Sequence, residues 1–264
     1  MAWYPVENIF DSHAHYDDRK FDPDRAEVIA ALPSQGVRAV MNPGCDLSSS
    51  QKAISFAETY PYFYAAVGFH PEFAGKMTPK DLESVASLAG HSKVMAIGEI
   101  GLDYHYDDAC PREIQREVFA QQLALAKELS LPVIVHDREA HGDTLDLLRK
   151  YRPEGIVHCY SGSPEMVEEI VKLGMYIGFT GVVTFKNASK TLRAAAAVPL
   201  ERLLVETDAP YMAPEPCRGR RCDSSLLEYT IGALAKVKGM DPQQLADLTF
   251  ANACRVYHIP DGQN

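Results

Sequence analysis

Eight apolar or β-branched runs alternate with amphipathic stretches along this chain, and this alternation is the feature that most restricts its fold. The runs are ENIFD (7–11), VRAVMN (37–42), FYAAVGF (63–69), KVMAIGE (93–99), LPVIVH (131–136), EGIVHC (154–159), MYIGFT (175–180) and RLLVET (202–207). Repeated strand and helix patterns of this kind are typical of βα units around a parallel sheet. Eight units predict an α/β fold, a TIM-type (β/α)8 barrel.

Start signals for helices stand between and after these runs, because a capping side chain or a proline at the first helical position favours a helix start. They are Ser48 with Gln51, Thr78-Pro79 with Asp81, Ser163-Pro164, Ser225 with Glu228, and Asp241 with Gln244. The last two follow the eighth run and predict two C-terminal helices. No break in composition divides the chain, so we predict a single domain over residues 1–264.

The composition indicates a soluble, acidic protein. Hydrophobic residues make up 46% of the 264 residues, which is ample for one core, and the formal net charge is −10. Any binding of nucleic acid should therefore be local. No stretch approaches the roughly 18 uncharged apolar residues of a membrane span, and MAWYPVENIFD lacks the pattern of an export signal. We expect a cytoplasmic protein with no membrane partner and six free cysteines, and nothing in the sequence indicates its oligomeric state.

Side chains with metal-binding chemistry fall at or just beyond the C-terminal ends of these runs. They are His13 and His15 after the first run, His70 after the third, Glu99 at the fourth, His136 at the fifth, His158 at the sixth, and Asp208 after the eighth. The C-terminal ends of the strands of a barrel meet at one rim. Residues far apart in the sequence are therefore expected to share one pocket.

Two histidines one residue apart in an extended segment point to the same side, because side chains alternate between the faces of a strand. His13 and His15 can thus face one ion. Neutral imidazole suits zinc and similar divalent ions, and carboxylates such as Glu99 and Asp208 add oxygen ligands that can bridge two ions. We predict two divalent ions, such as Zn²⁺, Mg²⁺ or Mn²⁺, whose positive charge would bind phosphate despite the acidic surface.

Each of these residues also has an ordinary structural interpretation. A single histidine at a strand end more often satisfies a hydrogen bond than binds a metal, and Asp208, followed by Ala-Pro, could end a strand by turn chemistry. Their coincidence at one rim favours the metal site, since several buried polar groups would otherwise lack partners. The remaining histidines are predicted to be surface or structural residues: His91, His105, His141 and His258.

Six motifs stand in the order typical of one known family. They are DSHAH (11–15), GFHP (68–71), GEIGLDYHY (98–106), PVIVHDRE (132–139), HCYSG (158–162) and ETDAPY (206–211), with NACRVY (252–257) near the end of the chain. On these motifs the chain resembles the TatD-type metal-dependent deoxyribonucleases, a branch of the amidohydrolase-like superfamily, over nearly its whole length. GEIGLDY and ETDAPY are long and specific, whereas DxHxH alone would indicate only the superfamily.

The resemblance implies a role for each residue at the rim. The implied ligands are His13, His15 and Asp208 for a first ion, His136 and His158 for a second, and Glu99 between the two. Asp208 would also orient the attacking water, and His70 would lie near the scissile phosphate without binding an ion. The expected catalytic residues are thus Asp208, Glu99 and His70.

Other residues beside these ligands are candidates for substrate contacts or for support of the ligands. They are His70, Asp103, Tyr104, Arg138 and Ser161. The segment CRGRRCDSS (217–225) departs from relatives that continue with Arg-Gly-Lys and then Asn-Glu-Pro. Arg218 and Arg220 within it are also predicted to contact phosphate, since a guanidinium group matches phosphate oxygens, with a solvated charged loop as the alternative.

The resemblance implies a deoxyribonuclease that attacks single-stranded DNA or strand ends, in the 3′ to 5′ direction, through a water activated by two metals. Two alternatives stay open. An amidohydrolase-like barrel could hydrolyse a C–N or small phosphoester bond instead, although such relatives often carry a carboxylated lysine where this chain has Glu99. A non-catalytic barrel acting as a scaffold would bind no metal.

Overall fold

Eight parallel strands hydrogen-bond to one another in chain order in the computed structural model, which describes residues 5–106 and 110–260. The strands are β1 Ile9–Asp11, β2 Val37–Pro43, β3 Phe63–Val67, β4 Val94–Asp103, β5 Val133–Arg138, β6 Gly155–Val157, β7 Tyr176–Phe179 and β8 Leu203–Val205. The start of MAWYPVENIFD and both ends of the predicted 1–264 domain lie outside the described residues.

The sheet closes on itself just beyond the ends of β8 and β1. Ser12 N donates to the Val205 carbonyl at 3.2 Å, Asp208 N donates to the His13 carbonyl at 2.9 Å, and His15 N donates to the Ala209 carbonyl at 2.7 Å. The segments that follow the first and last strands are therefore paired along the rim. This closure confirms the predicted TIM-type (β/α)8 barrel.

Helices follow the strands and surround the sheet. They are α1 Arg25–Ala31, α2 Leu47–Thr59, α3 Pro79–Ala89, α4 Arg112–Leu129, α5 His141–Tyr151, α6 Pro164–Lys172, α7 Ser189–Ala197, α8 Leu227–Lys238 and α9 Pro242–Val256. Short 3-10 helices cover Arg19–Phe21, Leu32–Gln35, Pro71–Lys76, Gly181–Thr184, Leu200–Arg202 and Ser224–Leu226. The helices α8 and α9 are the two predicted C-terminal helices. In the part of the chain that the structure describes, no helix has both the length and the hydropathy that a membrane crossing requires.

The core has an inner part and an outer part, because side chains of each strand alternate between the barrel interior and the helices. The inner cluster takes residues such as Phe10, Ile134 and Leu204 from the strands and Tyr257 from the end of α9. Asn252 of α9 donates to the carbonyl of Leu203 at 2.9 Å, at the start of β8. The helix α9 thus covers the N-terminal end of the barrel, and the opposite rim stays open for a site.

Helix starts follow the predicted chemistry at three positions and depart from it at two. Thr78, Ser163 and Asp241 each accept a hydrogen bond from a backbone N–H of the first turn, as predicted. The prediction of Ser48 as a cap was wrong, because the carboxylate of Asp46 accepts the Ser49 N–H at 2.8 Å and starts α2 earlier.

The second departure lies before α8, where we predicted Ser225 as the cap. Asp223 instead accepts the Ser225 N–H at 2.9 Å and caps the 3-10 helix Ser224–Leu226, so α8 begins only at Leu227. In both cases an aspartate two residues upstream of the predicted serine provides the acceptor.

Two strands extend further toward the rim than their apolar runs indicate. β4 continues to Asp103 because Gly101, Leu102 and Asp103 pair with His136, Asp137 and Arg138 of β5. The pairing of these strands is interrupted between Ile97 and Ile100, where Glu99 N donates to the Gly44 carbonyl at 2.9 Å. Glu99 and His136 therefore stand inside strands and not after them.

Candidate metal centre

The carboxylate of Glu99 lies at the middle of the open rim and is only 3% exposed. Its Oε2 atom lies 3.3 Å from Nε2 of His13 and 3.3 Å from Nε2 of His15. These two nitrogens are 3.0 Å apart, and Oδ1 of Asp208 lies 3.7 Å from each of them. The structure thus brings three of the predicted residues together on one side of Glu99.

The other carboxylate oxygen of Glu99 faces a second group of histidines. Oε1 lies 2.7 Å from Nε2 of His158 and 2.8 Å from Nδ1 of His136, and these two nitrogens are 3.2 Å apart. Nε2 of His70 is 3.6 Å from the same oxygen. The two oxygens of Glu99 therefore each face a separate cluster of nitrogen atoms.

A buried aspartate fixes the segment that carries the first two histidines. Asp11 accepts hydrogen bonds from Thr207 N at 2.9 Å, from Thr207 Oγ1 at 2.6 Å and from Ser224 Oγ at 2.7 Å, and its Oδ1 also accepts from His13 N at 3.3 Å. Burial raises the pKa of Asp11 to about 6, although these hydrogen bonds oppose the shift. Asp11 thus joins the end of β1 to the segment after β8 and sets the direction of His13.

A carboxylate also orients His136. Oδ2 of Asp103 lies 3.2 Å from Nε2 of His136, so that Nδ1 is the nitrogen that faces Glu99. Burial lowers the pKa of His136, but its hydrogen bonds to Asp103 and Glu99 outweigh burial and raise the pKa to about 10. Asp103 was a candidate for substrate contact or for support of a ligand, and its contact with His136 favours the support of a ligand.

The donors at the rim fit a divalent cation. Burial, followed by the charge of His158, holds the pKa of His13 well below its ordinary value, so this imidazole is neutral and offers a lone pair. Burial raises the pKa of Glu99, but the surrounding histidines outweigh burial and hold the pKa well below its usual range. A neutral imidazole and an anionic carboxylate are both ligands that zinc and similar ions bind.

Two grooves meet at this rim. The Asp18 groove, of about 460 Å³, is lined by residues that include Asp18, Cys45, Lys52 and Tyr211. The Lys190 groove, of about 800 Å³, is lined among others by Asp103, Arg138, His141, Ser161 and Lys190. Both grooves contain His70, Glu72, His136, His158, Asp208 and Tyr211 in their walls. The candidate metal centre is therefore open to both grooves.

The predicted substrate contacts divide into two groups by position. Arg138 and Ser161 line the Lys190 groove, whereas neither Arg218 nor Arg220 lines either groove formed by the described residues. The guanidinium of Arg218 instead lies 4.1 Å from the ring centre of Phe185. A phosphate contact by Arg218 or Arg220 stays a prediction that no contact in the structure supports.

Tyr104 and the four histidines that we set aside have protein partners. Tyr104 donates its hydroxyl to Asp143 at 2.7 Å. The other close partners are Glu58 for His91, Glu139 for His105, Asp137 for His141 and Glu154 for His258. His141 nevertheless lies in the wall of the Lys190 groove, which its helical context in the sequence did not indicate.

Two further residues lie at the site that were not predicted from the sequence. Glu206 is fully buried beside His13 and His158, and Cys45 lies with its sulfur 4.0 Å from Nδ1 of His15. Glu206 stands two residues before Asp208, the same spacing that pointed to His13 and His15. Burial raises the pKa of Glu206 to about 7.

Comparison with known proteins identifies the family of the chain. The family described as "TatD related DNase" matches residues 10–258. YabD of Bacillus subtilis, described as an uncharacterized metal-dependent hydrolase, is 41% identical over 254 residues, which make up 95% of this chain and 99% of that protein. The 3′-5′ ssDNA/RNA exonuclease TatD of Salmonella typhimurium is 34% identical over 259 residues, again 95% of this chain and 99% of that protein.

A solved structure gives the same result in three dimensions. The crystal structure of YJJV, a TatD homologue from Escherichia coli K12, superimposes with a TM-score of 0.90 at 32% sequence identity. The superposition covers 96% of this chain and 99% of that one. The family match, the curated relatives and the shared barrel all extend across the strands that carry the rim histidines. The chain therefore belongs to the TatD related DNase family, and it is a metal-dependent hydrolase.

Proposed function

We propose that this hydrolase is a nuclease that removes nucleotides from the 3′ ends of single-stranded DNA, as one catalytic domain that uses two divalent ions. The observation that carries the proposal is the division of the rim by Glu99, whose two oxygens face two separate groups of ligand atoms. The name of the Salmonella relative, a 3′-5′ ssDNA/RNA exonuclease, supports the substrate class and direction.

The proposed ligands are residues that the structure brings within reach of one another. They are His13, His15 and Asp208 for one ion, His136 and His158 for the other, and Glu99 for both. When bound, two divalent ions lower the pKa of a water molecule and stabilise negative charge on the oxygens of a phosphodiester. Zn²⁺, Mg²⁺ and Mn²⁺ are candidates, because histidine and carboxylate ligands accept each of them.

Asp208 is the proposed proton acceptor of the reaction. Its side chain is 16% exposed, so it reaches both grooves while one oxygen stays 3.7 Å from Nε2 of His13 and of His15. Burial raises the pKa of Asp208 above its ordinary value, which makes the carboxylate a stronger base. A carboxylate in this position can orient the attacking water and take its proton.

His70 is the proposed donor to the scissile phosphate. Its Nδ1 accepts the Glu72 N–H at 3.2 Å, which leaves the proton of the neutral ring on Nε2. Burial lowers the pKa of His70 to about 3, so the ring is neutral at physiological pH. The Nε2–H group lies at the rim beside Glu99, where it can donate a hydrogen bond to a phosphate oxygen.

The strand itself is proposed to lie along the Lys190 groove. Arg138 and Ser161 in its wall offer a guanidinium group and a hydroxyl group to phosphate oxygens. Arg138 and Lys190 have no ion pair among the described residues, so both cations are available to a polyanion. Binding that depends on so few cations should be weak, and it should weaken further as salt is added.

The test uses purified protein and single-stranded DNA labelled at the 5′ end or at the 3′ end. The proposal predicts divalent metal in the protein, a ladder of products that shorten from the 3′ end, and loss of cleavage after exhaustive chelation with recovery on adding metal. Cleavage that persists in the fully chelated protein would rule out the metal mechanism. Internal fragments as first products would rule out the exonuclease.

The amidohydrolase alternative is tested in the same experiment. The metal-loaded protein is also given a dipeptide, a cyclic amide and a small phosphomonoester. Turnover of one of these at a rate far above that of DNA would replace the nuclease proposal, whereas the scaffold alternative predicts no turnover of any substrate. Membership in a family of metal-dependent hydrolases favours the two enzymatic outcomes over the scaffold.

A further inference from the structure

Glu206 is a fully buried carboxylate beside the metal centre, and it has no place in the proposed ligand set. Its Oε2 accepts the hydroxyl of Ser12 at 3.1 Å, and its Oε1 accepts the backbone N–H of Cys159. Ser12 immediately precedes His13, and Cys159 immediately follows His158. One carboxylate thus joins the two chain segments that carry a proposed ligand of each ion.

The same carboxylate lies against the imidazoles themselves. Oε1 of Glu206 is 3.6 Å from Nδ1 of His158, a buried nitrogen that has no hydrogen-bond partner among the described residues. The opposite nitrogen of this ring, Nε2, is the one that lies 2.7 Å from Glu99. The ring of His13 stacks on that of His158, with ring centres 3.8 Å apart and planes 9° apart. Fixing the plane of one ring therefore restricts the other.

The strand next to Glu206 leaves space for its side chain. A Cβ atom added at Gly178 of β7 would lie 2.3 Å from Oε2 of Glu206. Any larger residue at position 178 would displace the carboxylate from Ser12 and Cys159. The close approach of the β7 backbone thus restricts the position of the Glu206 carboxylate.

A third ion is a poorer explanation for this cluster. His13, His158 and Glu206 have ligand atoms within 4.8 Å of one another, but both carboxylate oxygens already accept hydrogen bonds from Ser12 and Cys159. Asp103 offers a close parallel, since its carboxylate stands behind His136 on the side away from Glu99. Carboxylates behind metal-binding histidines commonly fix the ring orientation and the protonated nitrogen.

We propose that Glu206 is a positioning residue that holds His158, and through it the stacked ring of His13, with Nε2 directed at the metal centre. In this arrangement Nδ1 of His158 carries the proton and donates it toward Glu206. The inference rests on the proposed metal centre. It assigns Glu206 to the support of both ions and not to contact with either ion or with the substrate.

The test compares metal binding by wild-type protein and by Glu206→Gln, which keeps the size of the side chain and removes its charge. Titration calorimetry with Zn²⁺ on chelator-treated protein should show binding weakened by about 10- to 100-fold. Circular dichroism should show an unchanged fold. A dissociation constant within twofold of the wild-type value would overturn the inference.

The matched control is Asn252→Ala, at the other end of β8. Asn252 donates to the carbonyls of Leu200 and Leu203 at 2.8 and 2.9 Å, so its loss should lower the melting temperature. Zinc affinity should stay at the wild-type value, because Asn252 touches no proposed ligand. An equal loss of affinity in both variants would reduce Glu206 to a general support of β8 and would overturn the inference.

A second measurement needs no variant that must fold. In zinc-loaded wild-type protein with ¹⁵N-labelled histidine, NMR reports which nitrogen of each ring carries a proton. The inference predicts a proton on Nδ1 of His158 and metal on Nε2, and the reverse pattern would refute it. Wild-type protein that binds no divalent ion would instead refute the proposed function, and this inference with it.

Discussion

At the scale of single residues, the site depends on which atom of each side chain faces the rim. His13, His15 and His158 present Nε2 to Glu99, whereas His136 presents Nδ1 because Asp103 occupies its other nitrogen. The sequence predicts which residues are candidate ligands, but it does not predict which nitrogen of each histidine faces Glu99. The choice depends on partners that lie in distant parts of the chain.

The proposed role of Asp208 as proton acceptor can be tested by a single substitution. We expect Asp208→Asn to fold normally and to lower kcat on end-labelled single-stranded DNA by about 10²- to 10⁴-fold, because the amide cannot accept a proton. Asp241→Asn is the matched control, since Asn caps a helix as well as Asp and Asp241 lies at the start of α9. A kcat of Asp208→Asn within threefold of the wild type would contradict the proposed role.

Gly101 in the GEIGLDY motif is required by backbone geometry and not by chemistry. Its φ is +146°, and an added Cβ would lie 2.0 Å from the carbonyl oxygen of His136. We expect Gly101→Ala to lower the free energy of unfolding by about 3 kcal/mol, as strain and a backbone clash combine. Urea denaturation measures the change.

The control for this change is Gly142→Ala in α5, where an added Cβ meets nothing within 4 Å. This substitution should leave the protein equally stable or more stable by up to about 1 kcal/mol, because alanine favours a helix. Equal free energies of unfolding for the two variants would show that a side chain at position 101 does not destabilise the fold.

Glu206 was not predicted from the sequence, for a reason that lies in its position along the chain. We looked for ligands at or after the ends of the apolar runs, and Glu206 lies within the run RLLVET. A glutamate there resembles an ordinary polar position near a strand end. Only the fold shows that β7 offers a glycine beside it and that Ser12 and Cys159 approach from both sides.

At the scale of elements, hydrogen bonds join the connection from β8 to α8 to the connection from β1 to α1. Arg221 donates two hydrogen bonds to the carboxylate of Asp24, at 2.6 and 2.7 Å, and Tyr211 donates to Asp18 at 2.8 Å. Both connections border the Asp18 groove through Asp18 and Tyr211. The pairing thus positions one wall of that groove.

This ion pair has a testable dependence on pH. The hydrogen bond from Arg221 holds the pKa of Asp24 below its ordinary value of 3.8. A lowered carboxyl pKa stabilises the folded state above pH 3.8, and the stabilisation is lost as the pH falls through the folded-state value. The difference in melting temperature between wild type and Asp24→Asn should therefore be present at neutral pH and shrink below pH 3.8.

Arg221→Gln provides the matched comparison for Asp24→Asn. It should remove the same pH-dependent difference, and the double variant should lose little more than either single variant. A difference that stays constant from neutral to acid pH would show that Asp24 acts through packing and not through its charge.

The sequence patterns predicted the number of strands correctly but not the boundaries of several strands and helices. All eight predicted strands form, but β4 extends to Asp103 through its pairing with β5, which local apolarity does not record. The starts of α2 and α8 were misplaced for a similar reason. Asp46 and Asp223 each accept the capping hydrogen bond, two residues before the predicted serine. Several neighbouring side chains can act as caps, so the sequence does not show which of them does.

At the scale of the whole molecule, the barrel makes one site from distant segments. His13 and Asp208 are brought together by the hydrogen bonds that join the ends of β1 and β8, so closing the barrel also assembles the proposed metal centre. The alternation of runs was sufficient to predict this closure, because parallel βα units in sequence order have few other arrangements. The grooves could not be predicted, since their walls are loops.

Metal binding should therefore stabilise the entire fold. Protein stripped of metal should gain about 3 kcal/mol when the ion is present at about 100 times its dissociation constant. For a chain of this size the melting temperature should rise by about 5 to 10 °C. Differential scanning calorimetry with and without Zn²⁺ measures the shift, and an unchanged melting temperature at saturating ion would indicate that the rim holds no metal.

The most direct test of the proposed binuclear site is anomalous diffraction from crystals soaked with Zn²⁺, recorded above and below the zinc absorption edge. The site predicts two peaks beside Glu99, one next to His13 and His15 and the other next to His136 and His158. Crystals of Glu99→Gln should lose at least one of the two. No peak at the rim, or peaks only at surface residues remote from Glu99, would contradict the metal centre and the nuclease chemistry assigned to it.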